Sequence, residues 1–155
     1  MHHAQQDFMH TDIDNDADYL DHKKTDHKYM DGVSNGIDLA AWWIRHSVPY
    51  GMLQEKQLDM LGKTSALTLP VVACWGSHYG AIKALIAKER CMQLLVLEKR
   101  EELIGSVGKK PAPKAAAKKM LGMCTASAFW SGLKVVLKHI GPLLVSVTAN
   151  MVGNA

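Results

Sequence analysis

The feature that most constrains the fold is the last third of the chain, which combines positive charge with long apolar runs. Residues 105–155 include seven lysines and no arginine, aspartate or glutamate. Two apolar runs, 120–133 and 140–155, lie on either side of a short cationic stretch that contains Lys134 and Lys138. A helix that is apolar around most of its circumference must be buried, either in protein or in lipid. We therefore expect this segment to be helical and to need a protein core, a partner or a membrane.

A narrow polar stripe interrupts the apolar surface. Ser131, Lys134, Lys138 and then Gly141-Pro142 recur at intervals of three or four residues, so they would share one side of a helix. Proline has no amide hydrogen and clashes with the preceding helical turn, so we predict a break or kink at 140–142 and a C-terminal apolar helical hairpin. Neither run reaches the ~20 residues that cross a bilayer. Two interpretations stay open: a hairpin buried in an ordinary core, and a cationic helix against lipid or a neighbouring subunit.

The composition of the whole chain favours helices over strands. Leucine, alanine and methionine are common, whereas there are only 2 phenylalanines in 155 residues. This length suits one domain with a core of its own. We predict an all-α protein made of short helices, one long amphipathic helix and the C-terminal apolar helical hairpin, preceded by an extended N-terminal arm.

Charge is strongly segregated along the chain. Met1–Asp31 has eight aspartates against three lysines, whereas residues 105–155 carry a charge of +7. The alternating aspartates of the arm disfavour both helix and strand, so we expect the arm to be extended or disordered when free. Opposite charges on one chain can also attract a second copy, which makes self-association one expectation.

We predict four segments. They are the acidic His/Asp-rich arm 1–31, a helical middle 32–107, a basic Lys/Ala/Pro linker 108–119 and the apolar cationic helical segment 120–155. The two prolines of the linker favour an extended start.

Within the middle segment, the pattern predicts a turn at 32–36, a short helix at 37–47 that ends at Val48-Pro49, and a second helix at 52–61. Gly62 should end that second helix, whose apolar side would contain Leu53, Leu58 and Leu61.

The uncharged stretch 64–82 predicts a buried helix that begins near 68–70, with a membrane-spanning helix as the less favoured alternative. Residues 81–104 predict the longest helix. Its apolar face would hold Leu85, Met92, Val96 and Leu103, and its solvated side would hold Lys88 with the charged residues that follow.

Two motifs for phosphate and calcium binding are incomplete. Gly62-Lys63-Thr64 ends like a phosphate-binding loop, but Gln57 stands where that loop needs its first glycine. A calcium loop starting at Asp12 would need glycine and glutamate where Ala17 and Lys23 stand. We therefore exclude both sites.

The histidines of the arm could offer ligands to zinc, copper or nickel, but no spacing supports a tetrahedral site, so we favour a polar arm without a metal. The three cysteines are far apart, which excludes a disulfide framework and indicates a reducing compartment. Cys74 and His78 could share a helix face as a thiol–imidazole pair. Nothing in the pattern orients that pair, so we predict core packing there, and we predict no enzyme activity, no catalytic residue and no cofactor.

The candidate contact residues are lysines that follow the helical middle and tryptophans that could anchor an interface. They are Lys109, Lys110, Lys114, Lys118, Lys119, Trp130, Lys134, Lys138, Trp42 and Trp43.

These features predict a non-enzymatic structural or accessory subunit of a larger assembly, such as a membrane complex or a viral or phage particle. Other protein subunits would be its partners, bound through the basic apolar C-terminal helices. One alternative is a membrane-active effector that acts on an anionic membrane surface through the C-terminal cationic helix. Another is a nucleic-acid-binding accessory protein that uses the lysines of 109–119. The polar, acidic N-terminus carries no secretory signal, so we expect a location inside the cell, at a membrane or within a particle.

Overall fold

The computed structural model describes residues 30–71 and 74–153, and the side chains of Trp75 and of 144–153 lie outside that description. Residues 32–71 and 74–153 belong to one compact unit. The predicted extended arm, with its aspartates and histidines, lies outside the described residues except for its last two.

The described residues form six α-helices and no strand, which confirms the prediction of an all-α protein. The helices are α1 at 30–45, α2 at Ser47–Leu61, α3 at Trp75–Ile86, α4 at Glu89–Gly105, α5 at Pro111–Thr125 and α6 at Ser127–Gly153.

The first two helices are longer than predicted and almost join. The predicted turn at 32–36 is part of α1, and only His46 lies between α1 and α2. Pro49 does not end a helix but lies in the first turn of α2, where a missing amide hydrogen breaks no intrahelical hydrogen bond. Gly62 ends α2 as predicted, with a φ of +69° and its N–H donating to the carbonyl of Leu58 at 2.9 Å.

The apolar side of α2 differs from the prediction. Leu53 is buried, but Leu58 and Leu61 are 56% and 53% exposed. Pro49 and Gln57 are the other buried residues of α2, so the buried stripe repeats every four residues and packs against α4.

Gly36 explains why a predicted turn is helical. A Cβ atom at this position would lie 2.8 Å from Cδ1 of Ile82 in α3 and 3.1 Å from Cδ2 of Leu133 in α6. The glycine therefore allows three helices to approach closely, and the packing of Ile82 and Leu133 outweighs the low helix propensity of glycine.

The predicted long helix at 81–104 is two helices. The turn at Ala87 and Lys88 separates α3 from α4, and Lys99 inside α4 has a non-helical φ of −133°. The predicted helix start at 68–70 is also wrong, because residues 63–71 are not helical and α3 begins at Trp75.

Part of the predicted amphipathic pattern of α3 and α4 is correct. Leu85, Met92, Val96 and Leu103 are all buried, as predicted. The prediction that Lys88 lies on the solvated side is wrong, because the residue is 1% exposed.

The C-terminal break lies at Ala126 rather than at Pro142. α6 continues through Pro142, so the predicted break there is wrong. Ala126 has extended dihedral angles, and α5 and α6 meet there at 68°. The indole N–H of Trp130 donates to the carbonyl of Cys124 at 2.8 Å, which satisfies one of the carbonyls that a helix leaves unpaired at its end.

No single helix in the described part of the chain has the length and composition to cross a membrane. Only α5 together with Ser127–Leu143 meets that criterion, as a bent pair.

The basic linker is not extended, because α5 begins at Pro111. Proline suits this first helical position, where its missing N–H costs no hydrogen bond and its fixed φ is already helical. Ala117, Leu121 and Cys124 form the buried side of α5, which packs against α4. Burial raises the pKa of the Cys124 thiol to about 12, and the neighbouring Trp43 indole offsets this only in part.

A pair of glycine substitutions tests the close approach of the helices. Gly36→Ala should lower the free energy of unfolding by roughly 1 kcal/mol, because the overpacking exceeds the gain in helix propensity. Gly80→Ala is the matched control, since no atom lies within 4 Å of a Cβ there, and it should raise stability by about 0.5–1 kcal/mol. Urea denaturation measures both, and a stabilised Gly36→Ala variant would contradict this packing.

The buried thiol predicts a loss of stability in alkali. The unfolded thiol loses its proton near its usual pKa of 9.0, whereas the folded thiol keeps its proton until about pH 12. The folded state thus binds more protons above pH 9, and its Cys124 contribution falls by up to about 1.4 kcal/mol per pH unit. The stability difference between wild type and Cys124→Ala should therefore shrink by about 2 kcal/mol from pH 9 to 10.5. Cys74→Ala, at an exposed thiol, should show no such change.

Candidate functional site

Five lysines lie on and just before the first half of α5, and we call them the lysine face. They are Lys109, Lys110, Lys114, Lys118 and Lys119. Lys110, Lys114 and Lys118 follow one another every four residues, so they lie along one side of the helix over about 12 Å. Lys119 is exposed as well and widens this row.

Within the part of the chain that the structure describes, nothing neutralises the lysine face. None of its five ammonium groups forms an ion pair with a described residue, whereas Lys56 pairs with Glu98 at 2.8 Å and Lys134 pairs with Glu89 at 2.7 Å. The first turn of α5 contains no acidic residue. Like charges four residues apart destabilise a helix, and cations at its N-terminus oppose the helix dipole. The lysines therefore carry a small cost in stability that no ion pair among the described residues offsets.

The backbone at the start of α5 contributes little to anion binding. Pro111 and Pro113 supply no N–H, so two of the amides that would bind an anion at a helix N-terminus are missing. The attraction for an anion therefore comes from the lysine side chains, which act at longer range and without fixed geometry.

The three tryptophans predicted as contact anchors are core residues in this conformation. Trp43 and Trp130 are 0% and 1% exposed, and Trp42 is 6% exposed. The rings of Trp42 and Trp43 meet edge to face with centroids 5.3 Å apart, a preferred arrangement for aromatic pairs. The surfaces of these rings are therefore packed largely inside the fold.

The two predicted lysines of α6 differ in their surroundings. Lys134 is half-exposed, and its Nζ lies 2.7 Å from Oε2 of Glu89, so this pair connects α6 to α4. Lys138 is exposed and forms no ion pair within the described residues. Ser131, Lys134, Lys138 and Pro142 of the predicted polar stripe are exposed on α6, whereas Gly141 is half-buried and lies close to the ring of Tyr79.

The sequence interpretation missed the buried cation Lys88. Its Nζ donates to the carbonyls of Ala66 at 3.1 Å and Ala84 at 3.0 Å, and burial lowers its pKa. Its spacing of three from Leu85 and four from Met92 was the available signal, because it places the lysine on the apolar side of the helix.

Cys74 and His78 do not form a thiol–imidazole pair through Nδ1. The Nδ1–H of His78 donates to the backbone carbonyl of Cys74 at 3.0 Å, and the Cys74 thiol is exposed. Across 30–71 and 74–153, no group of three or more histidine, cysteine, aspartate or glutamate side chains could hold a metal ion.

No family model matches this chain, and neither a curated protein nor a solved structure matches it.

Neutralising the lysine face should stabilise the fold. Replacing all five lysines by glutamine removes the like-charge repulsion and the unfavourable dipole interaction, so the free energy of unfolding should rise by about 0.5–1.5 kcal/mol at low salt. Lys88→Met should instead lower it by about 1–3 kcal/mol, because the Ala66 carbonyl loses its donor. Urea denaturation at low and high salt distinguishes the two effects. If the variant with all five substitutions were destabilised, the lysines would contribute to the stability of the fold instead of lowering it.

Proposed function

We propose that this protein is a non-enzymatic accessory subunit of a larger assembly and that its lysine face binds an acidic surface of a partner subunit. The observation that carries this proposal is the cluster of five cations on and just before one helix, none of which pairs with a described residue. Lys56 and Lys134 neutralise carboxylates within the fold, whereas the five lysines on α5 find no counter-charge among the described residues. An external anionic surface would supply that counter-charge and steer association.

Burial of four apolar side chains in the described part of the C-terminal segment supports a protein partner over a membrane. Leu121 and Cys124 of α5 are buried, as are Leu133 and Val136 of α6. A membrane-active effector would have to unpack these side chains from α4 and α3 before it could insert them into lipid. Docking through the lysine face requires no such opening.

Nucleic acid is the second candidate partner. Five lysines within eleven residues, in a stretch of 51 residues without a carboxylate side chain, would attract phosphates without regard to base sequence. The lack of backbone N–H groups at Pro111 and Pro113 limits any shaped phosphate site, so binding of this kind would be strongly salt-dependent.

The test uses the full-length protein in extracts of its native source, separated by size at low and high salt. Wild type should elute well above 17.1 kDa at low salt and near that mass at high salt. The variant with five Lys→Gln substitutions in the lysine face should elute near 17.1 kDa in both. The matched control neutralises five exposed basic residues elsewhere and should behave like wild type; these residues are Lys63, Lys83, Arg90, Lys99 and Arg100.

Three further conditions distinguish the partners. Nuclease treatment should leave the large species intact, and its collapse would show that nucleic acid is the partner. Detergent should also leave it intact, and its loss would favour a membrane. A wild-type protein that elutes near 17.1 kDa at every salt concentration, or a fivefold variant that stays in the large species, would refute the proposed docking.

A further inference from the structure

A groove separate from the lysine face lies along α1. It is an open cavity of about 490 Å³ whose walls are α1, the non-helical segment 63–71, α3 and α5. This volume is in the range of small-molecule sites in proteins. The α1 groove combines an apolar lining with a small number of charged groups, which is the usual composition of such sites.

The charged side chains on one side of α1 lie at opposite ends of the groove. Trp42 follows Asp38 by four residues, and Arg45 follows Trp42 by three, so the three residues share one side of the helix. Asp38 and Arg45 are about 10 Å apart along the helix axis and do not form an ion pair. The groove therefore has an acidic end, an aromatic centre and a basic end.

The basic end carries two nitrogen-bearing side chains. Arg45 is exposed and has no ion-pair partner among the described residues, so its guanidinium can bind a carboxylate with two parallel hydrogen bonds. The Nδ1–H of His46 donates to the carbonyl of Trp42 at 2.7 Å, which leaves Nε2 as the ring nitrogen for a ligand. This hydrogen bond also fixes the imidazole beside the indole, with ring centroids 4.8 Å apart.

The centre of the groove is apolar. Trp42 lies on α1, Met120 comes from α5, and Leu69 from the non-helical segment is 43% exposed. A flat aromatic ring in the groove would cover the exposed apolar surface of Leu69 and reach the edge of Trp42, which is 6% exposed. We propose that the α1 groove binds a small aromatic monocarboxylate, with its ring against Trp42 and Leu69 and its carboxylate on Arg45. Asp38 at the far end repels a second carboxylate and so selects for a single acidic group.

The test is titration of the full chain with 1-naphthaleneacetate, followed by calorimetry and by NMR of the Trp42 and His46 ring signals. Wild type should bind one equivalent with a Kd on the order of 1 mM or below, as expected for a ligand of this size. The neutral 1-naphthaleneacetamide should bind at least about tenfold more weakly, because it lacks the charge-assisted hydrogen bonds to Arg45.

Substitutions in the groove test whether the ligand binds there. Arg45→Gln should weaken binding of 1-naphthaleneacetate at least about tenfold, whereas Arg90→Gln, at an exposed arginine on α4, should leave it unchanged. Asp38→Asn should strengthen binding of naphthalene-2,6-dicarboxylate and leave the monocarboxylate little affected. Leu69→Glu places a carboxylate in the groove at a half-exposed position and should abolish binding. Circular dichroism of each variant reports whether it remains folded.

Four results would overturn the proposal. Equal binding by wild type and a folded Arg45→Gln variant overturns it, as does equal affinity for the acid and its amide. Absence of saturation below 10 mM, or NMR shifts confined to residues outside the groove, overturns it as well.

Discussion

The fold depends on burial of one apolar side of each C-terminal helix against the helices that precede it. Leu121 and Cys124 of α5 pack towards α4, and Leu133 of α6 reaches Gly36 of α1, close to Ile82 of α3. Apolar area removed from water is the main favourable contribution to folding. The bend at Ala126 is what allows consecutive helices to bury their apolar sides against different neighbours.

This burial determines which chemistry remains at the surface. Once the apolar side of α5 is in the core, its lysines form the surface that a partner can reach. Exposed ion pairs contribute little to stability, so the pairs of Lys56 with Glu98 and of Lys134 with Glu89 matter more for orientation of the helices than for the free energy of folding. The fold tolerates substitution of lysines that lack such pairs. Binding to a partner can therefore determine which residues occupy these positions.

The non-helical segment 63–71 is held by polar side chains in addition to the burial of Leu67. The Gln57 side-chain oxygen accepts from the backbone N–H of Ser65 at 3.0 Å, and the Tyr50 hydroxyl accepts from that of Leu67 at 3.1 Å. Lys88 donates to the carbonyl of Ala66 between them. Buried polar groups stabilise a structure only when they are hydrogen-bonded, and here they replace the backbone partners that a helix would have provided. The same segment then forms one wall of the α1 groove, so structural hydrogen bonds and the proposed ligand site share it.

Local sequence patterns were sufficient to predict the all-α class, the end of α2 at Gly62, the buried apolar positions of α3 and α4 and most of the exposed stripe of α6. These features depend on helical periodicity and on the special dihedral angles of glycine, which are local properties of the chain. The spacing of Lys88 from Leu85 and Met92 also signals its burial. In contrast, contacts between distant parts of the folded chain are what make 32–36 and Pro142 helical and bury three tryptophans. The reason is that turn and break signals amount to a few kcal/mol or less, and close packing of distant side chains can outweigh them. The lysine face could be predicted as a set of residues, but whether it has partners among the described residues depends on where distant carboxylates lie. The α1 groove combines residues from four parts of the chain, which no local pattern brings together.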